Sequence, residues 1–171
     1  MNRYTIFKIL SFFVYVFAQV LIFNKVVLFE TAYSFIYIGF LLTLPLEIAV
    51  IPGMLIGLFL GLGIDSFTNT FGLHASASVL LMYFRPIFIS FLTPQGGYPA
   101  GTTPQPNKIG LGWFTTFALP LIFIHQLVIF FVEYGGFDLF GITLSKVVAS
   151  TIYSFILIVV IQYIFIIRSR K

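Results

Sequence analysis

The chain has no cysteine, one tryptophan and very little charge: Asp, Glu, Lys and Arg make up 8% of its 171 residues. Without cysteine there are no disulfides, thiolate metal sites or cysteine nucleophiles, and no redox compartment to be read. A soluble domain carries about 25% charged residues. The shortage here excludes a soluble globular domain, a disordered tail and a nucleic-acid module. The acidic residues are scattered, so there is no paired acid run of the kind a lipid-phosphate enzyme uses. H-E-x-x-H and a phosphate-cradling glycine loop before a lysine are also missing. No nucleophile, base and oxyanion donor assemble in sequence. The expectation is a protein that is not an enzyme, holds no cofactor and has no nucleic-acid partner.

What is abundant is apolar residues, 60% of the chain, with a mean hydropathy of +1.09. Six apolar segments of roughly 20 residues would use about 120 positions. They are read at about Ile9 to Phe23 (widened by Ile6 and Phe7), Thr31 to Leu46, Ile48 to Ile64, Leu73 to Leu92, Ile109 to Val132 and Ile142 to Ile167. The first begins with basic residues but lacks a small-residue cleavage site, so it is read as a retained helix rather than a signal peptide. Lipid admits only helices or closed barrels, and barrel strands are short and alternate in polarity. These runs do neither. The expected fold is therefore an all-α integral membrane protein, residues 1–171 forming one domain, a bundle of about six transmembrane helices. Its least secure boundary is the second, where Pro45, Glu47 and Pro52 also fit one broken or re-entrant segment. Thr93 to Lys108 is the one true loop.

Six spans put both termini on one side. Arg3, Lys8, Lys108, Arg168, Arg170 and Lys171 then face Lys25 and Lys146 across the membrane, six against two. The positive-inside rule makes the terminal side cytoplasmic. The hairpin Asp65–Gly72 and the turn Glu133–Gly141, which carries Asp138, then point outward.

Several residues stand out. Gly53, Gly57 and Gly61 recur every four residues, with Asp65 on the same face. Small stripes let helices approach closely, here against His74-Ala75-Ser76-Ala77-Ser78. The stripe packs the protein internally or docks a partner's helix. Arg85, in an apolar helix, is costly unless it faces protein or water. It lies about 16 Å along the helix from His74, a depth that suits a pair with Glu47. Snorkelling to the interface and a partner contact are the alternatives. Pro86 removes a backbone donor beside it, and a kink is expected there. His125 falls at a depth similar to Asp65 and His74. An inter-helix polar cluster is favoured over a metal site, because no close ligand spacing supports one.

Taken in order, Leu44-Pro45-Leu46-Glu47, the run Gly57 to Phe67, Thr70-Phe71-Gly72-Leu73-His74-Ala75 and Phe84-Arg85-Pro86 resemble the rod shape-determining protein MreD family. Gln19 to Asn24 and Gly112-Trp113-Phe114 through His125 to Glu133 fit it too. The most specific part is the G-x-x-x-D…G-x-H-A…R-P series from Gly61 to Pro86. Gln126 departs from it, standing where close relatives carry a second histidine. The resemblance implies a multi-pass protein of the bacterial cytoplasmic (inner) membrane with no catalytic activity. It implies a scaffold or regulator of cell shape that works with MreC, the actin-like MreB, and the peptidoglycan polymerase and transpeptidase of lateral wall growth. The alternative, from a different class, is the substrate-binding membrane subunit of an energy-coupling-factor vitamin transporter, which needs an internal ligand pocket. Either way, membrane lipids surround the chain.

The charge asymmetry generates a topology test. A reporter active only outside the cytoplasmic membrane is expected to be silent when fused after Lys171 and active when inserted within Thr68–Phe71. Activity after Lys171 overturns the six-span reading.

Overall fold

In a computed structural model, which describes residues 3–136 and 139–169, the chain is helical apart from its connections. Asp138, Arg170 and Lys171 lie outside the described residues. Five helices are long and apolar enough to cross a membrane. These are α1 (Arg3–Leu21), α3 (Val50–Thr68), α4 (Leu73–Leu92), α6 (Leu111–Glu133) and α7 (Phe140–Ser169). Two short α-helices, α2 (Ile38–Leu42) and α5 (Pro106–Ile109), a 3-10 turn at Phe23–Lys25 and a two-residue antiparallel pairing of β1 (Val27–Leu28) with β2 (Ala32–Tyr33) complete the described elements.

The burial pattern differs from that of a water-soluble protein: large apolar side chains cover the outside, and polar ones are enclosed within an otherwise apolar core. Phe7, Leu10, Ile51, Phe91 and Ile152 are exposed, while Arg85, His125, Gln126 and Ser154 are almost fully enclosed. Apolar side chains outside and polar ones inside suit a lipid surround. This is the profile of a multi-pass membrane protein.

The expected continuous helix from Thr31 to Leu46 is not formed. Only Ile38–Leu42 is helical, and the rest of the segment is strand, turn and coil. The segment is nonetheless the most enclosed part of the chain, with Phe35 to Leu44 all buried. It is threaded between the long helices. At one end Gln19 of α1 bonds the backbone of Ser34 and Ile36; at the other, Lys8 of α1 donates to the Thr43 carbonyl. Eleven residues of α1 separate these contacts, about 16 Å, so the segment runs antiparallel to α1. It runs parallel to α7, where Ser150 meets Tyr33 and Ile158 abuts Gly39. A helix failed here because all residues of 31–37 except Ala32 are aromatic, β-branched or small and polar, and because neighbouring side chains take backbone bonds that a helix would have made.

The other boundaries follow simple physics. Pro52 sits in the first turn of α3, where its missing N–H would have no helical partner anyway. α3 ends at Asn69, whose left-handed backbone (φ 56°) closes the last turn on the Asp65 carbonyl. α4 continues through Pro86 to Leu92 as one helix.

The Gly53–Gly57–Gly61 face of α3 lies against α4. A Cβ on Gly61 would stand 2.3 Å from Ala75 Cα and 2.4 Å from Ala75 N, and one on Gly57 2.9 Å from the Ser78 carbonyl oxygen. At Gly53 it would meet only the mobile end of Met82, at 2.7 Å. Alanine at the three positions should therefore act in a graded way. Gly61→Ala is expected to lower the unfolding midpoint in mild detergent most, by an overpacking cost of roughly 1–3 kcal/mol. Gly57→Ala should cost less, and Gly53→Ala should be close to neutral. Equal effects at the three sites would mean that α3 and α4 are not in backbone contact.

Candidate functional site

Three polar clusters sit inside the bundle, and each begins with a local feature of the sequence. The first is the α3–α4 turn. The residue preceding α4 is Gly72, in a left-handed conformation (φ 90°) with no side chain to cap the helix. Asp65, one turn before the end of α3, supplies the cap instead. Its Oδ1 accepts the His74 N–H at 3.0 Å and its Oδ2 the Ala75 N–H at 2.9 Å, while Thr70 Oγ1 also donates to Oδ1. These are the second and third amides of α4, the donors a capping side chain normally satisfies, and the negative charge lies on the favourable end of the helix dipole. The close approach at Gly61 is what brings α4 within reach.

The second cluster is at the centre. The Tyr37 hydroxyl lies 3.0 Å from His74 Nδ1 and 2.7 Å from His125 Nε2. A phenol has one proton, so it donates to one ring and accepts an N–H from the other; the two imidazole tautomers are tied together. Phe35 lies beside both imidazoles, with centroids 5.7 and 5.9 Å away. His125 Nδ1 and Gln126 Oε1 are buried without a hydrogen-bond partner among the described residues. Gln126 Nε2 reaches Ser154 Oγ at 3.3 Å.

The third cluster closes the far end of the threaded segment. Arg85 is 1% exposed, and its guanidinium donates to the carbonyls of Leu44 and, at 3.2 Å, Pro45. Both carbonyls follow α2; Pro45's also accepts the Ile48 N–H at 3.3 Å, while Leu44's depends on the guanidinium. The Phe117 ring lies 5.8 Å from the guanidinium carbon.

The expected residues are thus distributed as follows. Gly57, Gly61, Asp65 and His74 join one hairpin, and His74 meets His125 through Tyr37. Asp65 contacts the His74 backbone rather than its ring. Gly53 stands at the looser end of the stripe. Pro86 lies inside α4 next to Arg85. The expected Arg85–Glu47 pair is corrected: among the described residues no bond joins them. Glu47 is exposed and accepts the Gly101 N–H at 2.7 Å. The reason is that a buried guanidinium finds two adjacent chain carbonyls, while the carboxylate keeps its hydration at the rim. Among the described residues no group of three or more His, Cys, Asp or Glu has metal-binding geometry.

Sequence reasoning missed Tyr37, Gln19, Lys8, Ser34, Ser150 and Ser154. Gln19 is the most committed of them. It donates to Asn24 Oδ1 at 2.7 Å and the Ser34 carbonyl at 2.8 Å, and accepts the Ile36 N–H at 2.8 Å. Ser150 Oγ accepts the Tyr33 N–H at 2.9 Å and Ser154 Oγ the Phe35 N–H at 3.0 Å. The available signal was the four-residue spacing of Ser150 and Ser154, which puts two hydroxyls on one face of α7.

Arg85 and Glu47 now separate experimentally. Arg85→Ala strands the buried Leu44 carbonyl and removes one of the two donors to the Pro45 carbonyl, and is expected to cost roughly 1–3 kcal/mol. Glu47→Gln keeps an acceptor for Gly101 and should stay within about 0.5 kcal/mol of the parent. Unfolding midpoints in detergent read both, and a Glu47→Gln loss as large as that of Arg85→Ala would restore the ion pair.

No protein-family model, curated protein or solved structure matches this sequence.

Proposed function

We propose that the chain is a non-enzymatic, multi-pass component of the bacterial cell-elongation machinery, similar to MreD, in the cytoplasmic membrane. In this reading the threaded segment is the second of six crossings. The termini and the 93–110 loop face the cytoplasm. The protein is a scaffold or regulator that meets MreC and, with it, MreB and the peptidoglycan polymerase and transpeptidase.

One observation carries the reading. Among the residues on which the resemblance rests, Gly57, Gly61 and Asp65 join α3 to α4, and His74 and Arg85 hold the threaded segment at its centre and at its far end. A chance likeness in an apolar sequence has no reason to fall on the residues that organise the interior. The transporter-subunit alternative calls for a ligand pocket among convergent polar groups. The most enclosed polar group here, around Tyr37, is filled by the contacts of Phe35, His74 and His125, so that reading stands second.

The test is co-purification from native membranes in mild detergent, followed by mass spectrometry. Recovery of a bitopic coiled-coil protein together with wall-synthesis enzymes is expected, and Gly61→Leu should reduce it. Recovery of a pair of ATPases instead overturns the reading in favour of the transporter.

A further inference from the structure

Two ionisable rings in the interior meet on one hydroxyl. His74 Nδ1 and His125 Nε2 lie 3.0 and 2.7 Å from Tyr37 Oη. Ionisable groups are costly inside a membrane bundle, and where they form hydrogen-bonded chains they can carry protons. The tautomer of an imidazole is set by the bond its other nitrogen makes. Among the described residues His125 Nδ1 has no hydrogen-bond partner, so no second bond fixes which nitrogen of that ring holds the proton. Ser78 also bonds the Tyr37 hydroxyl. A phenol oxygen that accepts two bonds and donates one accommodates all three groups.

The two rings have closely similar aromatic surroundings. The Phe35 centroid lies 5.7 Å from His74 and 5.9 Å from His125, and the Tyr37 ring 5.8 and 5.5 Å from them. Aromatic rings attract cations at such distances, so a positive charge finds comparable neighbours on either imidazole. The rings differ in access. His74 is the second residue of α4 and keeps 7% exposure, while His125 has none. Of the elements packed around them, α3 brings one carboxylate, Asp65, bonded to the His74 amide rather than the ring. The Ser154 hydroxyl of α7 and the Gln19 amide of α1 serve the same segment without titrating. Arg85 lies about three turns further along α4, engaged by chain carbonyls.

We propose that His74, Tyr37 and His125 form a proton relay, filled from the α3–α4 turn, that holds one mobile proton between the two imidazoles. The proton enters on His74 and makes it an imidazolium. His74 Nδ1–H then gives its proton to Tyr37 Oη, while the Tyr37 O–H proton passes to His125 Nε2. One N–H and one O–H bond break and one of each forms. The phenol is unchanged, and the positive charge has moved from His74 to His125. It leaves by the reverse step. The inference rests on the membrane-spanning fold and not on the cell-elongation reading, so the two fail separately.

The test is NMR of isotope-labelled histidine nitrogens in the full chain in mild detergent, acidified while the helical circular-dichroism signal holds. The chain has two histidines, so every ring nitrogen in the spectrum belongs to the relay, and His74→Gln and His125→Gln assign them. His74 Nδ1 and His125 Nε2 are expected to move together through one shared midpoint, each to a value between a bare and a fully protonated nitrogen. Tyr37→Phe keeps the ring and removes the hydroxyl; it should leave His74 responsive and His125 fixed. His74→Gln closes the entrance and should also fix His125, which decides the matter if Tyr37→Phe does not fold. Nitrogens that keep static values in the parent overturn the relay, as they would if the phenol donated to Ser78 and both rings were fixed donors. A response of His74 alone in the parent, or a His125 response that survives either variant, overturns it as well.

Discussion

A stretch of chain that is not helical must find every backbone hydrogen bond inside the protein when the surroundings are lipid. Each unsatisfied N–H or C=O there costs several kcal/mol. The segment from Ala32 to Leu46 meets that constraint with side chains from three helices. Gln19 of α1 takes the Ser34 carbonyl and the Ile36 amide, Ser150 and Ser154 of α7 take the Tyr33 and Phe35 amides, and Arg85 of α4 takes the Leu44 and Pro45 carbonyls. Lys8 closes Thr43. These side chains therefore supply backbone bonds that the segment does not make within itself.

This constraint also explains why a charge is tolerated so deep. A guanidinium offers several donors in a fixed planar fork, and adjacent chain carbonyls lie where two of them can reach at once. An ammonium has no such geometry, and a carboxylate has no N–H to give. The carbonyls just beyond α2 also stand at the negative end of that short helix. Arg85 is thus matched to its neighbours by shape and by charge. Glu47 has no equivalent reason to enter the interior, and its bond to the Gly101 amide keeps it at the rim.

What was legible in the sequence was whatever depends on one helix at a time. The bounds of α4 and the contact face of Gly57 and Gly61 follow from apolar length and four-residue spacing. So does the interior position of Arg85, because the cost of lipid exposure leaves few options. What depends on two segments meeting was not legible. Thr31 to Leu46 is apolar enough to pass for a spanning helix, because composition records burial and not conformation. Its partners lie far away in sequence, with Tyr33 and Ser150 separated by 117 residues. The Arg85–Glu47 pairing went wrong for the same reason: depth along a helix was right, but backbone carbonyls do not appear in a list of charged residues. Tyr37 looks like one aromatic among many until His74 and His125 are brought to its hydroxyl.

Helices in lipid lack the hydrophobic drive that holds a soluble core together, since acyl chains are as apolar as leucine. Close packing at Gly57 and Gly61 joins α3 to α4, but it cannot by itself gather α1, α6 and α7. The threaded segment does so through hydrogen bonds. It draws donors or acceptors from α1, α4, α6 and α7, and separating any one of these helices exposes backbone or imidazole groups to an apolar medium. Each helix is then held by the penalty its departure would impose on the others, which makes the bundle cooperative although its lipid-facing surfaces attract one another weakly. Asp65 belongs to the same logic: by capping α4 from α3, it fixes the register at which His74 meets Tyr37 and Arg85 meets the end of α2. A shift of one residue along α4 would turn both side chains about 100° away, and the segment would lose its α4 partners at Tyr37 and beyond α2 together.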